Sequence, residues 1–431
     1  MKIIIYRGTH EIGGTLIEVR SENCRILIDA GFPLLFNGAP VDFNLSALSD
    51  VELLDFGALP KVEGLYQWDS PGFDAVILSY AHLDHYGIFS YIHPDIPVYL
   101  SERTRKIIKI SQIFLQVKPF NLNMVVFKTA QPFEIKDIVI KPFLVDHSCF
   151  DASAFEIFID GKTLIYTGDL RGHVRKAAYL NRFIKTVKKQ PDLLLIEGTI
   201  PGERDETIIT EKELEDKVFH AVCRCDQPVL FQTSSQNIDR LVSFYKVAKR
   251  LKKTFVIDIY TANVLYELRQ LGNRIPYPSK EYPEIRVFYP TRLTNKIFNA
   301  IGSTYAKRFS AYHISKSSLS KMQNNIIMEV RASMLRDIRF IGLHNGVFIY
   351  SMWEGYRKNQ FQQTFEDHLK QAGFFLMSLH TSLHATISDI DRVITLLNPK
   401  KIVPVHTFYP ESPAMQKDKA EVKEDREEFE V

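Results

Sequence analysis

The sequence predicts an α/β fold, a layered sandwich with a second α/β domain inserted into it. Three observations lead to this prediction. Residues 1–200 alternate short apolar strands with turn signals and contain few helical patterns. From about residue 200, strands alternate with amphipathic helices, which is typical of a doubly wound layer. Histidines and acidic residues at strand ends stop near Glu197 and resume near His384, so the intervening segment interrupts one domain.

The first part of the chain contains ten apolar runs of strand length, with helical patterns between a few of them. The predicted strands are residues 2–6, 15–19, 25–29, 75–79, 98–100, 125–127, 138–144, 154–159, 163–167 and 193–196, and one of the predicted helices is 102–116. Several of these strands end at or just before a polar residue. Side chains at strand ends on one edge of a sheet can converge on one site.

In the second part, strands at 228–231 and 254–260 flank a helical pattern. The first domain is therefore predicted to consist of residues 1–200 and 345–410, and the inserted domain of residues 201–344. The remaining residues, 411–431, are rich in Lys and Glu with few apolar anchors, which predicts a charged, disordered tail.

Composition narrows the class of protein. With 45% apolar and 24% charged residues, the 431-residue chain has the profile of a globular protein. No apolar run reaches the roughly 18 residues that a membrane span needs, and four cysteines are too few for a disulfide framework. We therefore expect a cytoplasmic protein with no membrane partner. The net charge of +3 divides into −4 for residues 411–431 and +7 for residues 1–410, and the mild basic bias of the larger part is compatible with a polyanionic partner.

The most informative segment is residues 79–87, Ser-Tyr-Ala-His-Leu-Asp-His-Tyr-Gly, which follows an apolar strand. Imidazoles and a carboxylate on one turn are a typical start of a metal site. The candidate residues along the chain are Asp29, His82, Asp84, His85, His147, Asp169, Glu197, His384 and His406. Taken singly, some have other interpretations: His147 or His406 as a structural histidine, Asp169 as a turn residue. Together they indicate a metal site.

These residues carry a family resemblance. Residues 80–85 resemble the His-x-His-x-Asp-His motif of the metallo-β-lactamase superfamily, with Tyr80 in place of the first histidine. Residues 26–31, 145–148 and 166–169 are similar to its remaining motifs, and residues 195–199, 382–385 and 404–408 to those of the β-CASP branch, which includes ribonuclease J. The resemblance extends to about residue 410. It implies a metallo-β-lactamase αβ/βα sandwich with an inserted β-CASP α/β domain, and metals in the cleft between them.

The resemblance also implies a function, a metal-dependent ribonuclease that hydrolyses RNA phosphodiester bonds. Two divalent ions about 3.5 to 4 Å apart can generate the nucleophile and neutralise charge on the phosphate. Imidazole and carboxylate suit Zn²⁺, as one or two ions, and Mn²⁺ fits if carboxylate and water dominate. His406 in the last motif is the pattern of the RNA-processing members, so single-stranded RNA is the expected partner. A homodimer is compatible with the sequence.

Residue roles follow from the same resemblance. One ion would take His82, His147 and Asp169, and the other would take Asp84, His85, Asp169 and His406. Asp84, Glu197 and His384 would be catalytic, whereas Asp29 and Tyr80 would lie beside the ligands. Ser382 is a candidate for a terminal phosphate, although Leu383 replaces the usual glycine after it. Ser235 and Gln236, at a helix start, are candidates for RNA phosphate, with an ordinary helix cap as the equal alternative.

Tyr80 leaves several outcomes open. A phenol is a poor zinc ligand unless it ionises, and its ordinary pKa is about 10. The chain could then be a mononuclear enzyme, or a dinuclear enzyme that loads its first ion only at high metal concentration. It could also be a catalytically silent subunit that binds RNA or a partner protein. A substitution introduced to disable the protein is a further alternative.

Overall fold

The computed structural model describes residues 1–36, 39–40, 48–115, 118–173, 175–199, 208–272, 274–412, 415 and 419–431. Its contacts divide the chain into two compact units. The first unit comprises Met1–Ile108, Gln116–Ile208 and Ser382–Val431, and the second comprises Lys109–Leu115 and Ile209–Thr381.

The strands lie at β1 (Lys2–Arg7), β2 (Leu16–Arg20), β3 (Arg25–Ile28), β4 (Leu35–Phe36), β5 (Ala39–Pro40), β6 (Ala75–Ile77), β7 (Val98–Ser101), β8 (Met124–Phe127), β9 (Phe133–Ile135), β10 (Ile138–Leu144), β11 (Ser153–Ile159), β12 (Lys162–Tyr166), β13 (Leu193–Glu197), β14 (Val229–Gln232), β15 (Thr254–Asp258), β16 (Ile285–Phe288), β17 (Ile326–Glu329), β18 (Val347–Tyr350), β19 (Phe375–Ser378), β20 (Lys401–Val405) and β21 (Glu428–Glu430).

The helices lie at α1 (Asp50–Asp55), α2 (Leu83–Tyr86), α3 (Glu102–Leu115), α4 (Ala178–Thr186), α5 (Glu211–Val222), α6 (Ile238–Arg250), α7 (Ile259–Gln270), α8 (Thr291–Ile301), α9 (Thr304–Lys307), α10 (Lys316–Lys321), α11 (Leu335–Ile341), α12 (Gln360–Gln371) and α13 (Ile387–Leu397). None of the helices in the described part of the chain combines the length and apolar character that a membrane-spanning helix needs.

The first unit is a sandwich of two mixed sheets. One sheet has the strand order β21-β1-β2-β3-β6-β7-β8, and the other has the order β20-β13-β12-β11-β10-β9. One apolar core contains residues of both sheets, such as Ile17 and Ile26 from the first and Ile140, Phe155 and Leu193 from the second. Because each sheet buries one face in this shared core, the sandwich predicted from the sequence is confirmed.

Burial along the strands matches their positions. Strand β1 alternates buried residues with exposed or partly buried ones, as a strand with one face on the core does. Strand β13 is buried along its whole length and lies between two parallel neighbours, β12 and β20. Such central strands consist of continuous apolar residues, which is why their positions could be predicted well from the sequence.

The second unit is a wholly parallel six-stranded sheet with the order β16-β15-β17-β14-β18-β19. Helices connect successive strands, as parallel pairing requires. Its core includes Leu230, Val256, Met328 and Phe348 from four of these strands. The doubly wound layer predicted for this part of the chain is therefore present.

The structure differs from one of the predicted domain boundaries, the one between residues 344 and 345. The segment predicted to return to the first domain at residue 345 instead supplies β18 and β19 to the parallel sheet, and the second unit continues to Thr381. A short apolar strand looks the same in sequence whichever sheet it joins, so the pattern could not separate the two. The predicted boundary between residues 200 and 201 lies outside the described residues.

The tail predicted as disordered is partly ordered. Strand β21 pairs antiparallel with β1, with Phe429 opposite Ile3. Phe429 is 9% exposed, and Met415 is fully buried. These two apolar side chains anchor a segment whose charges alone predicted disorder. Residues 413, 414 and 416–418 of the tail lie outside the described residues.

Candidate functional site

The sequence motif after β6 forms a turn that enters the short helix α2. His82 has an extended backbone with φ −98°, and Asp84 and His85 are buried within the helix. Gly31, after β3, packs directly against this turn, because a Cβ atom on it would lie 1.6 Å from the carbonyl oxygen of Asp84. Glycine is therefore needed at this position for the two loops to approach each other.

Several strand ends of the first unit converge around this turn. Asp29 follows β3, His147 follows β10, Asp169 follows β12 and His406 follows β20. Asp29 and His406 both have left-handed backbone conformations, with φ of 59° and 53°. Non-glycine residues in this region are uncommon and cluster at functional sites.

Asp29 organises the deepest layer of the site. Its fully buried carboxylate accepts hydrogen bonds from the backbone N–H of Ser79 at 2.8 Å and from the hydroxyl of Tyr166 at 2.7 Å. The Ser79 hydroxyl donates to the same carboxylate. His85 Nδ1 lies 2.7 Å from Asp29 Oδ2, so this nitrogen donates and Nε2 is left to face the centre of the site.

His85, Asp84, Asp169 and His406 surround one point. Each of these four residues offers a ligand atom, and the four atoms lie within 4.8 Å of one another. His85 Nε2 is 3.6 Å from Asp169 Oδ2, and His406 Nε2 is 3.4 Å from Asp84 Oδ2. Neither His85 Nε2 nor Asp169 Oδ1 has a hydrogen-bond partner among the described residues, although both atoms are buried. Buried polar atoms without partners are costly, and a cation would satisfy both. These residues therefore fit a bound metal ion.

Tyr80 lies fully buried beside this cluster. Its hydroxyl donates a hydrogen bond to Asp169 Oδ2 at 2.5 Å. Its ring centroid is 5.0 Å from that of His82, 4.1 Å from that of His85 and 4.6 Å from that of His147. The phenol thus packs among three of the predicted ligand histidines.

His82 and His147 form a separate pair. Nδ1 of His82 and Nε2 of His147 are 3.4 Å apart, and the two rings meet edge to face. Nδ1 of His147 is buried without a hydrogen-bond partner among the described residues. Neither histidine belongs to the groups of convergent ligand atoms found in the described part of the chain.

Glu197 and His384 form a second group around Asp169. Glu197 Oε2 lies 2.9 Å from Nδ1 of His384. Glu197 Oε1 accepts hydrogen bonds from the backbone N–H groups of Leu170 and Ala385, at 2.7 and 3.3 Å. Both oxygens of the Glu197 carboxylate therefore have partners. Glu197 holds the His384 ring through Nδ1, so Nε2 takes no part in this contact. The group Asp169, Glu197, His384 and His406 also brings four potential ligand atoms within 4.8 Å.

Burial and charge set the protonation of the histidines. Burial lowers the pKa of His82 to about 4 and the pKa of His147 well below its ordinary value. Burial acts in the same direction on His85 and His384, but the carboxylates near them outweigh it. Asp29 and Asp169 raise the pKa of His85, while Glu197 and Asp169 raise the pKa of His384 to about 9. At pH 7, His82 and His147 are therefore neutral, and His384 holds a proton.

Burial and charge also set the protonation of Asp84 and Tyr80. Burial acts against the charge of Asp84, but a hydrogen bond from His406 and the charge of His85 outweigh it and lower the pKa of Asp84 to about 2. Burial and the neighbouring Asp169 carboxylate raise the pKa of Tyr80 well above its ordinary value. At neutral pH, Asp84 is a carboxylate and Tyr80 is a neutral hydrogen-bond donor.

The residues predicted to contact phosphate have internal partners. Ser235 and Gln236, in the second unit, are 2% and 7% exposed. The hydroxyl of Ser235 forms hydrogen bonds with the hydroxyl of Thr261 and with the guanidinium group of Arg331. The side-chain amide of Gln236 donates a hydrogen bond to the hydroxyl of Ser111 at 3.0 Å. These contacts favour a structural role over the predicted phosphate contact.

Ser382 lies near the site in the first unit, where its hydroxyl accepts from the backbone N–H of His384 at 3.1 Å. Leu383 is not among the described residues with left-handed φ, so replacing glycine causes no backbone strain here.

Several residues that position the site were not predicted from the sequence. The hydroxyl of Thr199 lies 3.0 Å from Nδ1 of His406, and the hydroxyls of Ser79 and Tyr166 hold Asp29. Each stands within three residues of a predicted site residue in the chain: Thr199 after Glu197, Tyr166 before Asp169, and Ser79 before His82. Their proximity to the motifs was the available signal.

Comparison with known proteins gives relatives of this chain. Residues 24–221 match the family model of a beta-lactamase superfamily domain. Ribonuclease J of Mycoplasma genitalium is 21% identical over 425 residues, which are 94% of this chain and 67% of that protein. The probable RNase MJ4 of Methanocaldococcus jannaschii is 26% identical over 46% of this chain and 45% of that protein. The transcription termination factor FttA of Methanothermobacter thermautotrophicus is 25% identical over 64% of this chain and 44% of that protein.

A solved structure shares the fold. The crystal structure of a protein of unknown function from Enterococcus faecalis V583 superposes with a TM-score of 0.79 at 22% identity, covering 99% of each chain. The family model covers the segment that carries His82, Asp84, His85, His147, Asp169 and Glu197. With the sandwich and its converging strand ends, these findings confirm the predicted resemblance: residues 24–221 carry a domain of the beta-lactamase superfamily, and this segment supplies most of the residues of the site.

Proposed function

We propose that this protein is a metal-dependent ribonuclease that hydrolyses RNA phosphodiester bonds. The observation that carries the proposal is the buried cluster of Asp84, His85, Asp169 and His406, in which two ligand atoms have no hydrogen-bond partner among the described residues. Two relatives that align over most of this chain are both named ribonuclease J, and this name supports RNA as the substrate.

Asp84, His85, Asp169 and His406 would hold the metal ion. Two imidazoles and two carboxylates suit Zn²⁺, and Mn²⁺ is the alternative. A divalent ion there would supply a nucleophilic water at neutral pH and neutralise charge on the phosphate. Asp29 fixes the tautomer of His85 and so keeps Nε2 available as a ligand atom.

Glu197 and His384 would act on the leaving group. Glu197 holds Nδ1 of His384, and its own position is set by two backbone N–H groups. A histidine fixed in this way can contact the scissile phosphate or donate a proton from Nε2 to the departing oxygen. Ser382, two residues earlier in the chain, is the remaining candidate for a terminal phosphate.

A cleavage assay tests the proposal. The purified chain, saturated with Zn²⁺ or Mn²⁺, should degrade single-stranded RNA, and a chelator should stop the reaction. Asp84→Ala and His406→Ala should reduce the rate at least 100-fold, because each removes a ligand from the cluster. His220→Ala is a matched control, since His220 is an exposed histidine of the second unit. Equal rates in the wild type and the two site variants would contradict the assignment.

A second candidate function is a catalytically silent subunit that binds RNA. The observation that favours it is the hydrogen bond from Tyr80 to Asp169, since it engages an oxygen that a second ion would need. RNA binding that survives a chelator, without turnover at any metal concentration, would support this function. A homodimer and a cytoplasmic location stay predictions.

A further inference from the structure

The position of Tyr80 bears on how many ions the site can take, a question that rests on the proposed metal-dependent function. Its side chain is fully buried. The ring centroid lies between 4.1 and 5.0 Å from the ring centroids of His82, His85 and His147. The aromatic ring of Tyr80 therefore occupies the space between these three imidazoles. An ion could bind there only if this space were empty and the imidazole nitrogens pointed into it.

The two oxygens of Asp169 differ in their contacts. Oδ2 accepts the hydrogen bond from Tyr80 and lies 3.5 Å from Nδ1 of His384. Oδ1 is buried, makes no hydrogen bond to the described residues, and is 3.7 Å from Nδ1 of His406. A carboxylate can bridge two ions with one oxygen on each. Here the phenol engages one oxygen and leaves the other for a ligand role.

His82 and His147 lack an anionic partner for a shared ion. Their nearest ring nitrogens are 3.4 Å from each other, and neither residue joins a group of convergent ligand atoms in the described part of the chain. Zinc sites in proteins use three or four protein ligands, commonly with a carboxylate or thiolate among them. Two neutral imidazoles without a carboxylate make a weak site.

We propose that this protein binds a single divalent ion, at Asp84, His85, Asp169 and His406, and that Tyr80 takes the place of a second ion. The phenol ring fills the space beside His82 and His147, and its hydroxyl positions Asp169 as a ligand of one ion. Tyr80 is thus a positioning residue that sets the metal content of the site.

Metal counting tests this proposal without an activity readout. The full chain would be stripped with chelator, dialysed against excess Zn²⁺, and analysed for zinc per chain. The wild type should hold one ion and Tyr80→His two, because the new imidazole joins His82 and His147 and frees Asp169 Oδ2. Tyr80→Phe keeps the ring and loses the donor, so it should still hold one ion, with roughly tenfold weaker affinity, which equals about 1.4 kcal/mol.

A second readout uses Mn²⁺. Two manganese ions that share a carboxylate give an exchange-coupled electron paramagnetic resonance spectrum, whereas one isolated ion does not. The wild type should give the spectrum of an isolated ion, and Tyr80→His the coupled spectrum. Circular dichroism of each variant would establish that it is folded. If Tyr80→His does not fold, the number of zinc ions per chain in the wild type and in Tyr80→Phe still tests the proposal.

The outcomes separate this inference from the proposed function. Two ions in the wild type or in Tyr80→Phe, or only one in a folded Tyr80→His, would overturn the inference and leave RNA hydrolysis standing. One ion in the wild type with no RNA cleavage would overturn the function and leave the inference standing. No bound ion would overturn both.

Discussion

Asp29 provides a sharp test of how the site is built, through the substitution Asp29→Asn. The carboxylate accepts from four donors: the Ser79 backbone N–H, the Ser79 hydroxyl, the Tyr166 hydroxyl and His85 Nδ1. An asparagine has one accepting oxygen and one donating nitrogen. The backbone N–H of Ser79 cannot become an acceptor, so the amide oxygen must stay at the Oδ1 position. The amide nitrogen then faces His85.

That arrangement changes the tautomer of His85. With an N–H group opposite, His85 Nδ1 must accept, and its proton moves to Nε2, the atom that faces the candidate metal position. Loss of such a supporting contact typically costs 10- to 100-fold in metal affinity, or about 1.4 to 2.8 kcal/mol. Loss of one charge-assisted hydrogen bond should also lower the free energy of unfolding by about 1.5 to 3 kcal/mol. Asparagine tolerates the left-handed backbone of residue 29, so backbone strain contributes little.

Competition with a zinc-binding dye measures the affinity, and urea unfolding measures the stability. Asp137→Asn is a suitable control, because Asp137 is an exposed aspartate whose partners are the neighbouring polar residues Ser21 and Asn23. It should leave zinc affinity unchanged. A zinc affinity of Asp29→Asn within twofold of the wild type would refute the reasoning that Asp29 sets the tautomer of His85.

Two further predictions concern packing and pH. Gly31→Ala should lower the free energy of unfolding by about 3 kcal/mol in urea titration, because its Cβ would lie 1.6 Å from the carbonyl oxygen of Asp84; a loss below about 1 kcal/mol would contradict that contact. Burial, with the adjacent Asp258 carboxylate, raises the pKa of Glu329 to about 7 from 4.5, so the folded state keeps a proton that the unfolded state releases. This contribution is present below pH 4.5 and is lost as the pH rises to about 7, by up to about 1.4 kcal/mol per pH unit, relative to Glu329→Gln. A stability difference between the two proteins that is constant from pH 4.5 to 7 would contradict it.

The strands of the first unit could be predicted closely from the sequence. Residues 138–144 were predicted as a strand and form β10 with the same bounds, because an apolar run between turn residues has few other conformations. Strand β9 was not predicted, since it consists of only two apolar residues on either side of Glu134. The assignment of β18 and β19 was wrong because sheet membership depends on long-range pairing, which no local pattern contains.

For the site, residue identity was more predictable than contacts. The sequence motifs contain all four residues of the cluster Asp84, His85, Asp169 and His406. Each of them stands at or near the end of a strand, where such residues can converge. The hydrogen bond from Tyr80 to Asp169 was not predictable, because it depends on the side-chain position of a residue that departs from the motif. The same holds for Ser235, whose hydroxyl has partners in distant parts of the second unit.

Asp84, His85, Asp169 and His406 are proposed to hold an ion that supports the hydrolysis of RNA. The most direct test of this proposal is cleavage of single-stranded RNA by metal-stripped protein to which zinc or manganese is returned in measured amounts. We expect no cleavage without metal, activity that rises with added ion in the wild type, and no activity at any ion concentration in Asp84→Ala. Cleavage by the stripped protein, or equal activity in Asp84→Ala, would contradict it.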